Sequence, residues 1–185
     1  VKRIKGFKDY INESYLNGSR APLYHSTGIF FVPQILEDDL LKASPTWKVV
    51  SFTRDKNFIY EDFPVTFILD QDKLSKNYKI VPFDYSFKID KGAPGKIERQ
   101  SPEFESEEMV HGDIENLHKY LLAIRINDNI KRYETYKRGS KEEYREAYED
   151  LIVGLIAYTS KYGVKVIDQK GNEITHEKLA NDHGK

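Results

Sequence analysis

The chain has 185 residues, with 29 Lys and Arg nearly cancelled by 30 Asp and Glu, so no global field draws it toward nucleic acid or an anionic membrane surface. It has no Cys, which excludes thiol nucleophiles, disulfides and cysteine-ligated zinc, while 39% hydrophobic and 13% aromatic residues supply enough apolar surface to close one core. No run of about 18 apolar residues offers a membrane span, Val1 to Tyr10 lacks the apolar segment of a signal peptide, and no linker-like stretch divides the chain. The expectation is one cytoplasmic domain over residues 1–185.

Taken in chain order, Ile4, Phe7, Ile11 and Tyr15 fall at helical intervals, which predicts a short N-terminal helix over about residues 4–16, ended by Asn17-Gly18. Leu23 to Thr27 and the apolar Ile29 to Val32 predict a strand and a tight loop. Ile35, Leu36, Asp39, Leu40 and Leu41 then continue at helical spacing after Pro33. Val49 to Thr53 and Val65 to Leu69 read as buried strands, Asp70 to Leu74 as a turn, and Tyr78 to Phe83 as extended. The Gly- and Pro-bearing stretch from Lys88 to Pro102 reads as a loop, followed by a short helix around Asn116 to Tyr120 and a strand from Leu121 to Ile126.

The strongest periodicity runs from Lys141 to Tyr162. Tyr144, Tyr148, Leu151, Ile152, Leu155, Ile156 and Thr159 form an apolar stripe, Ser140 and Glu143 match a capping box, and Gly163 suits the left-handed C-terminal residue. Val164 to Ile167, a Lys170-Gly171-Asn172 turn and Glu173 to Thr175 predict a closing hairpin, with a polar tail over residues 178–185. Lys131, Arg132, Lys137, Arg138, Lys141 and Arg145 interleave with tyrosines, a mixture able to grip a phosphate backbone but more simply read as a solvated surface beside a helix.

Three polar segments stand out: Tyr24-His25-Ser26-Thr27, Ser51-Phe52-Thr53-Arg54, and Glu105-Ser106-Glu107-Glu108. Each is expected at a strand end, where polar groups line a cleft while strand interiors fill the core. A His, hydroxyls and a carboxylate, without metal or thiol, suit cleavage of an N-glycosidic bond whose leaving group is already cationic. NAD carries such a bond. Nicotinamide departs without a proton donor, and a carboxylate near the ribose stabilises the developing positive charge. Arg54 beside such a cleft is a candidate to hold a pyrophosphate. The histidines show no metal-ligand spacing, and no metal is assigned.

These segments, in this order, resemble the motifs of the ADP-ribosyltransferase superfamily. Tyr24 to Thr27 is similar to its first-strand His motif, Ser51-Phe52-Thr53 to its central Ser-aromatic-Thr/Ser strand, and Glu105 to Glu108 to its late Glu motif. The runs Val50 to Asp55, Phe67 to Ser75 and Tyr78 to Ile80 also resemble small phage-encoded members. The resemblance covers roughly residues 23–126. It implies an α+β fold with a split β-sheet core and flanking helices, NAD as substrate, and transfer of ADP-ribose to a macromolecular acceptor, protein or nucleic acid. The implied cofactor-binding residues are Tyr24, His25, Ser26, Thr27, Ser51, Phe52, Thr53 and Arg54, and the catalytic carboxylate comes from Glu108, Glu107 or Glu105. Neighbours on a strand face opposite ways, and Glu108, entering the apolar Met109-Val110, is the preferred one. The alternatives are an NAD glycohydrolase and a catalytically silent member that binds a host protein or nucleotide.

Overall fold

The computed structural model describes residues 22–57, 62–82, 107–131 and 140–182. The expected N-terminal helix, Glu105, the Lys88 to Pro102 loop and most of the basic, tyrosine-rich stretch after Lys131 lie outside the described residues. Within them the fold is mixed α and β, built on a mostly antiparallel sheet.

Strand β1 (Leu23–Thr27) leads through a 3-10 turn (Ile29–Phe31) into helix α1 (Val32–Asp38) and a short strand β2 (Leu40–Leu41). Strands β3 (Val49–Thr53) and β4 (Val65–Leu69) follow, then helix α2 (Gln71–Leu74) and strand β5 (Ile80–Pro82). Strand β6 (Glu107–His111), the short β7 (Ile114–Glu115), a 3-10 turn (Leu117–Lys119) and β8 (Leu121–Ile126) come next. After a further 3-10 turn (Asp128–Lys131), the described chain ends in α3 (Lys141–Tyr162), β9 (Lys165–Asp168) and α4 (His176–Asp182). The main sheet has seven strands in the order β5-β6-β3-β1-β4-β8-β9, and β2 pairs with β7 separately. Among the described strands only β8 and β9 are parallel, and their connection runs through α3, the crossover a parallel pair requires.

Register assigns each residue to a face. Leu23, Phe67 and Ile124 share one face with Val50, Phe52 and Val110, and pack with Leu151 and Leu155 of α3 into the main core. Phe67, Ile124, Leu151 and Leu155 are wholly buried, each worth about 1.5–3 kcal/mol of apolar transfer. The other face carries a smaller cluster of Tyr24, Ile68, Ala123 and Ile167.

Helix α3 has the limits its sequence predicts. Ser140 Oγ accepts from the Glu143 amide and Glu143 Oε2 from the Ser140 amide, while Gly163, at φ 69°, donates to the Thr159 carbonyl. Helix α1 ends sooner than its apolar spacing implies. Asp39 turns left-handed at φ 52°, so Leu40 and Leu41 enter a strand instead of continuing the helix. The strain of that conformation is offset by its carboxylate, which accepts from the His118 amide, His118 Nδ1 and the Tyr158 hydroxyl, tying α1 to the turn at residues 117–119 and to α3. Burial first, and the bond to Asp39 second, push the Tyr158 phenol far up, so it stays a donor.

Three further expectations are corrected. Asp70 begins helix α2 as its N-cap, accepting from the Lys73 amide, where a turn was predicted. The closing hairpin is reduced to a single bridge, Ile167 to Glu173. The polar tail instead contains α4, because Leu179 turns inward and is 3% exposed in the main core. Replacing Leu179 with Ala is therefore expected to cost about 2 kcal/mol or more, read as a lower urea midpoint with unchanged slope, while Lys178→Ala leaves the midpoint within experimental error. An unshifted midpoint for Leu179→Ala would contradict the docking of α4.

Candidate functional site

The described parts of the three polar segments come together: β1 and β3 carry the first two, β6 carries Glu107 and Glu108 of the third, and β3 lies between the other two strands. They sit within the strands and not only at their ends. What distinguishes the region is the seam between β1 and β3. Strand β1 pairs with β4 along all five residues, Leu23 with Leu69 through Thr27 with Val65, and β3 pairs with β6 along five, Val49 with His111 through Thr53 with Glu107. Between β1 and β3 one pair is formed, Tyr24 with Thr53. Beyond it the strands part.

His25 fills the opening. Its Nδ1 lies 2.9 Å from the Ser51 carbonyl, and its ring leans on Phe52 at 5.5 Å between centroids, tilted by 55°. A carbonyl oxygen only accepts, so Nδ1 carries the hydrogen and Nε2 keeps its lone pair as an acceptor. The ring is closely surrounded by protein while keeping an edge toward solvent. That enclosure lowers its pKa from the ordinary 6.5, opposed by the bond to Ser51. The neutral imidazole is the form held at pH 7.

Two cavities open on this residue. One of about 190 Å³ is lined by Tyr24, His25, Ser26, Ser51, Thr53 and Phe63 among others. The second, of about 260 Å³, is lined by His25, Thr27, Phe31, Gln34, Asp38 and Lys42 among others. Phe31 is 62% exposed there, a large apolar ring left in solvent at the rim. A larger cavity of about 390 Å³ lies by β9, three strands from β1. Four of its polar side chains already pair with one another, Lys165 with Glu173 at 2.9 Å and His176 Nε2 with Thr159 Oγ1 at 2.7 Å, which makes the seam the better candidate.

The expected site residues divide between the two faces. His25, Thr27, Phe52 and Glu108 lie on the core face. Tyr24, Ser26, Ser51 and Thr53 lie on the other, and only the parted seam lets residues of both faces line one cavity. Glu108 pairs in register with Phe52, whereas Glu107 stands opposite Thr53. His25 and Glu108 are thus two strand spacings apart, roughly 10 Å across the sheet. Glu108 is 1% exposed and lines neither described cavity. Arg54 does not reach into open solvent for a pyrophosphate. Its Nε lies 2.9 Å from Glu108 Oε1, an ion pair by distance in which the N–H is not aligned on the oxygen.

Sequence reading missed Arg125 and Thr66. Both interrupt otherwise apolar strands, which is the signal that would have found them. Arg125 is 6% exposed; it donates to the Lys56 carbonyl at 2.8 Å and to Thr66 Oγ1 at 3.4 Å, and its guanidinium stands 5.7 Å from the Tyr24 ring centre. Thr66 Oγ1 in turn lies 3.0 Å from Ser26 Oγ. Burial lowers the Arg125 pKa, opposed by Tyr24, yet a guanidinium stays charged.

No protein-family model matches the chain, and no curated protein or solved structure is significantly similar to it. Among the described residues no group of three or more His, Cys, Asp or Glu is placed to hold a metal ion, and no helix is long and apolar enough to cross a membrane.

The His25 arrangement fixes a pH dependence. Its folded-state pKa lies below the unfolded one, so on acidification the unfolded chain takes up the proton first. Stability from this group is complete above about pH 6.5 and falls as pH drops through the folded value. Long-range nitrogen-proton correlation spectra are expected to show the Nδ1–H tautomer and a midpoint below 6.5. An Nε2–H tautomer would contradict the bond to Ser51, and a midpoint above that value would contradict the enclosure of the ring.

Proposed function

We propose that the chain is an NAD-dependent ADP-ribosyltransferase with a split-sheet core, cleaving the nicotinamide-ribose bond and transferring ADP-ribose to a macromolecular acceptor. The observation that carries this reading is the parted β1–β3 seam with His25 held in it by the Ser51 carbonyl. A seam of this kind gives a ligand access to backbone and side chains from two strands at once. The neutral imidazole then offers Nε2 to a ribose hydroxyl, which donates to it. Thr27 and the exposed Phe31 ring line the second cavity, which His25 also borders, and there an aromatic face suits a nucleobase or nicotinamide.

In this reading Glu108 is the carboxylate that acts on the ribose. It shares the core face with His25 and Phe52, and the Arg54 guanidinium stands 2.9 Å from one of its oxygens, which orients the group. The charge developing on the ribose during nicotinamide departure is stabilised by that negative charge, and the bond energy is spent in the transition state instead of the ground state. A macromolecular nucleophile then takes the ribose carbon, or water takes it in the glycohydrolase variant.

A second reading, binding without cleavage, is favoured by the burial of Glu108 against Arg54, outside both cavities. The two separate in one assay. NAD labelled in its adenosine half is incubated with the protein and a cell lysate, and nicotinamide release, free ADP-ribose and labelled macromolecule are followed together. Transferase activity labels a macromolecule with stoichiometric nicotinamide release, hydrolysis gives free ADP-ribose, and neither product leaves the binding reading. Glu108→Gln, which keeps the side chain's shape but removes the charge facing Arg54, is expected to melt lower while still folding and to lower cleavage by roughly a hundred-fold or more. His25→Ala is expected to weaken NAD binding roughly ten-fold by calorimetry. Unchanged cleavage in the first variant, or unchanged affinity in the second, would remove that residue from its role.

A further inference from the structure

Arg125 is a buried cation whose described partners are all neutral: a backbone carbonyl, a threonine hydroxyl and an aromatic ring. Its Nε has no hydrogen-bond partner. Burying a charge without an opposite one is costly, and such a cation is retained where its field serves something. The field runs along a row of three paired residues on one face, Arg125 beside Thr66 and Thr66 beside Ser26, across β8, β4 and β1.

Proton positions along this row are dictated by chemistry. A guanidinium donates and cannot accept, so Thr66 Oγ1 receives from Arg125. Thr66 is completely buried, and its other partner is Ser26, so the Thr66 hydrogen goes to Ser26 Oγ. The Ser26 hydroxyl hydrogen is then left over, and Ser26 lines the 190 Å³ cavity at the seam. Each bond in a one-way chain polarises the next. Ser51 adds a second hydroxyl to the same cavity.

We propose that this cavity is a subsite for a phosphoryl group, bound by the Ser26 hydroxyl and made acceptor-seeking by the Arg125-Thr66-Ser26 chain. Phosphoryl oxygens only accept at neutral pH, so they match a cavity that presents donors beneath a positive field. Its volume is below that of a typical whole-ligand pocket, which fits a fragment of a dinucleotide with the remainder along the open seam. The assignment rests on the nucleotide reading of the seam only for the identity of the larger ligand. Ser26 is the contacting residue, while Thr66 and Arg125 act through it as positioning residues.

The test is calorimetric titration of the intact chain with inorganic pyrophosphate, ADP and adenosine, alongside thermal melting without ligand. The parental protein is expected to bind pyrophosphate, and to bind ADP roughly ten-fold or more tighter than adenosine. Ser26→Ala and Thr66→Val should each abolish most of that preference, and Thr66→Ser, which keeps the hydroxyl, should restore it. Equal affinities for ADP and adenosine in the parental protein would overturn the subsite. So would a preference unchanged in Ser26→Ala and Thr66→Val, even if Thr66→Val melts lower, because the row would then be a structural strut only. Pyrophosphate binding that depends on Ser26 and Thr66, without NAD cleavage, would support the subsite while the transferase reading failed. NAD cleavage without any preference for ADP over adenosine would leave the transferase reading and remove this one.

Discussion

The pairing of Tyr24 with Thr53 is the constraint on which the sheet depends. On one side of it β5, β6 and β3 form a three-stranded half, and on the other β1, β4, β8 and β9 form a four-stranded half. Every other strand contact in the sheet carries three to five pairs, with a register shift at Ile68–Leu69 between β4 and β8, so the parting falls where pairing is thinnest. An unpaired run of backbone inside a sheet leaves donors and acceptors that must be satisfied, and the His25 imidazole meets one of them by taking the Ser51 carbonyl. The same bond fixes the tautomer and holds the imidazole at the wall of the cavity. Structure and candidate chemistry therefore share one interaction.

Two charged side chains near the seam are handled differently. Arg54 meets a carboxylate, Glu108, at 2.9 Å, and the pair lies largely out of water. A pair of this kind contributes little net stability against an apolar replacement, yet losing one partner is strongly destabilising, which makes it an orienting device first. Arg125 on the opposite face meets only neutral groups among its described partners, and its charge is passed along hydroxyls toward the cavity. Glu108 thus lies one strand beyond the seam on the core face, and a positive field stands on the other face. A ligand with a positive centre forming near one end and phosphoryl oxygens at the other would find both complemented.

Much of this was legible in the sequence, and the reasons it stopped are physical. The helix from Lys141 to Tyr162 could be read because periodicity, capping box and terminal glycine agree on its limits. The strands carrying Phe52, Phe67 and Ile124 could be read because they are short apolar runs bounded by breakers. The facing of the site residues could not, since the alternation along each strand is local but the pairing of Tyr24 with Thr53 joins residues far apart in the chain. That is why Arg54 read as a candidate pyrophosphate ligand and is found beside Glu108. Leu179 was hidden for a related reason: one apolar residue in a polar stretch carries no periodicity, and only its burial against the core reveals α4. Asp39 broke the helix at a position where residue type alone permits continuation, because tertiary bonds to His118 and Tyr158 offset the left-handed backbone.

The central claim is that a dinucleotide lies along the β1–β3 seam. Backbone amide shifts of the isotope-labelled protein, recorded while a non-cleavable NAD analogue is added, test it most directly. The account predicts saturable changes on both sides of the parting, at His25 and Ser26 on one strand and at Ser51 and Phe52 on the other, with Thr66 following through its bond to Ser26. Changes confined to the cavity lined by Lys165, Glu173 and His176, or no saturable change at all, would contradict it.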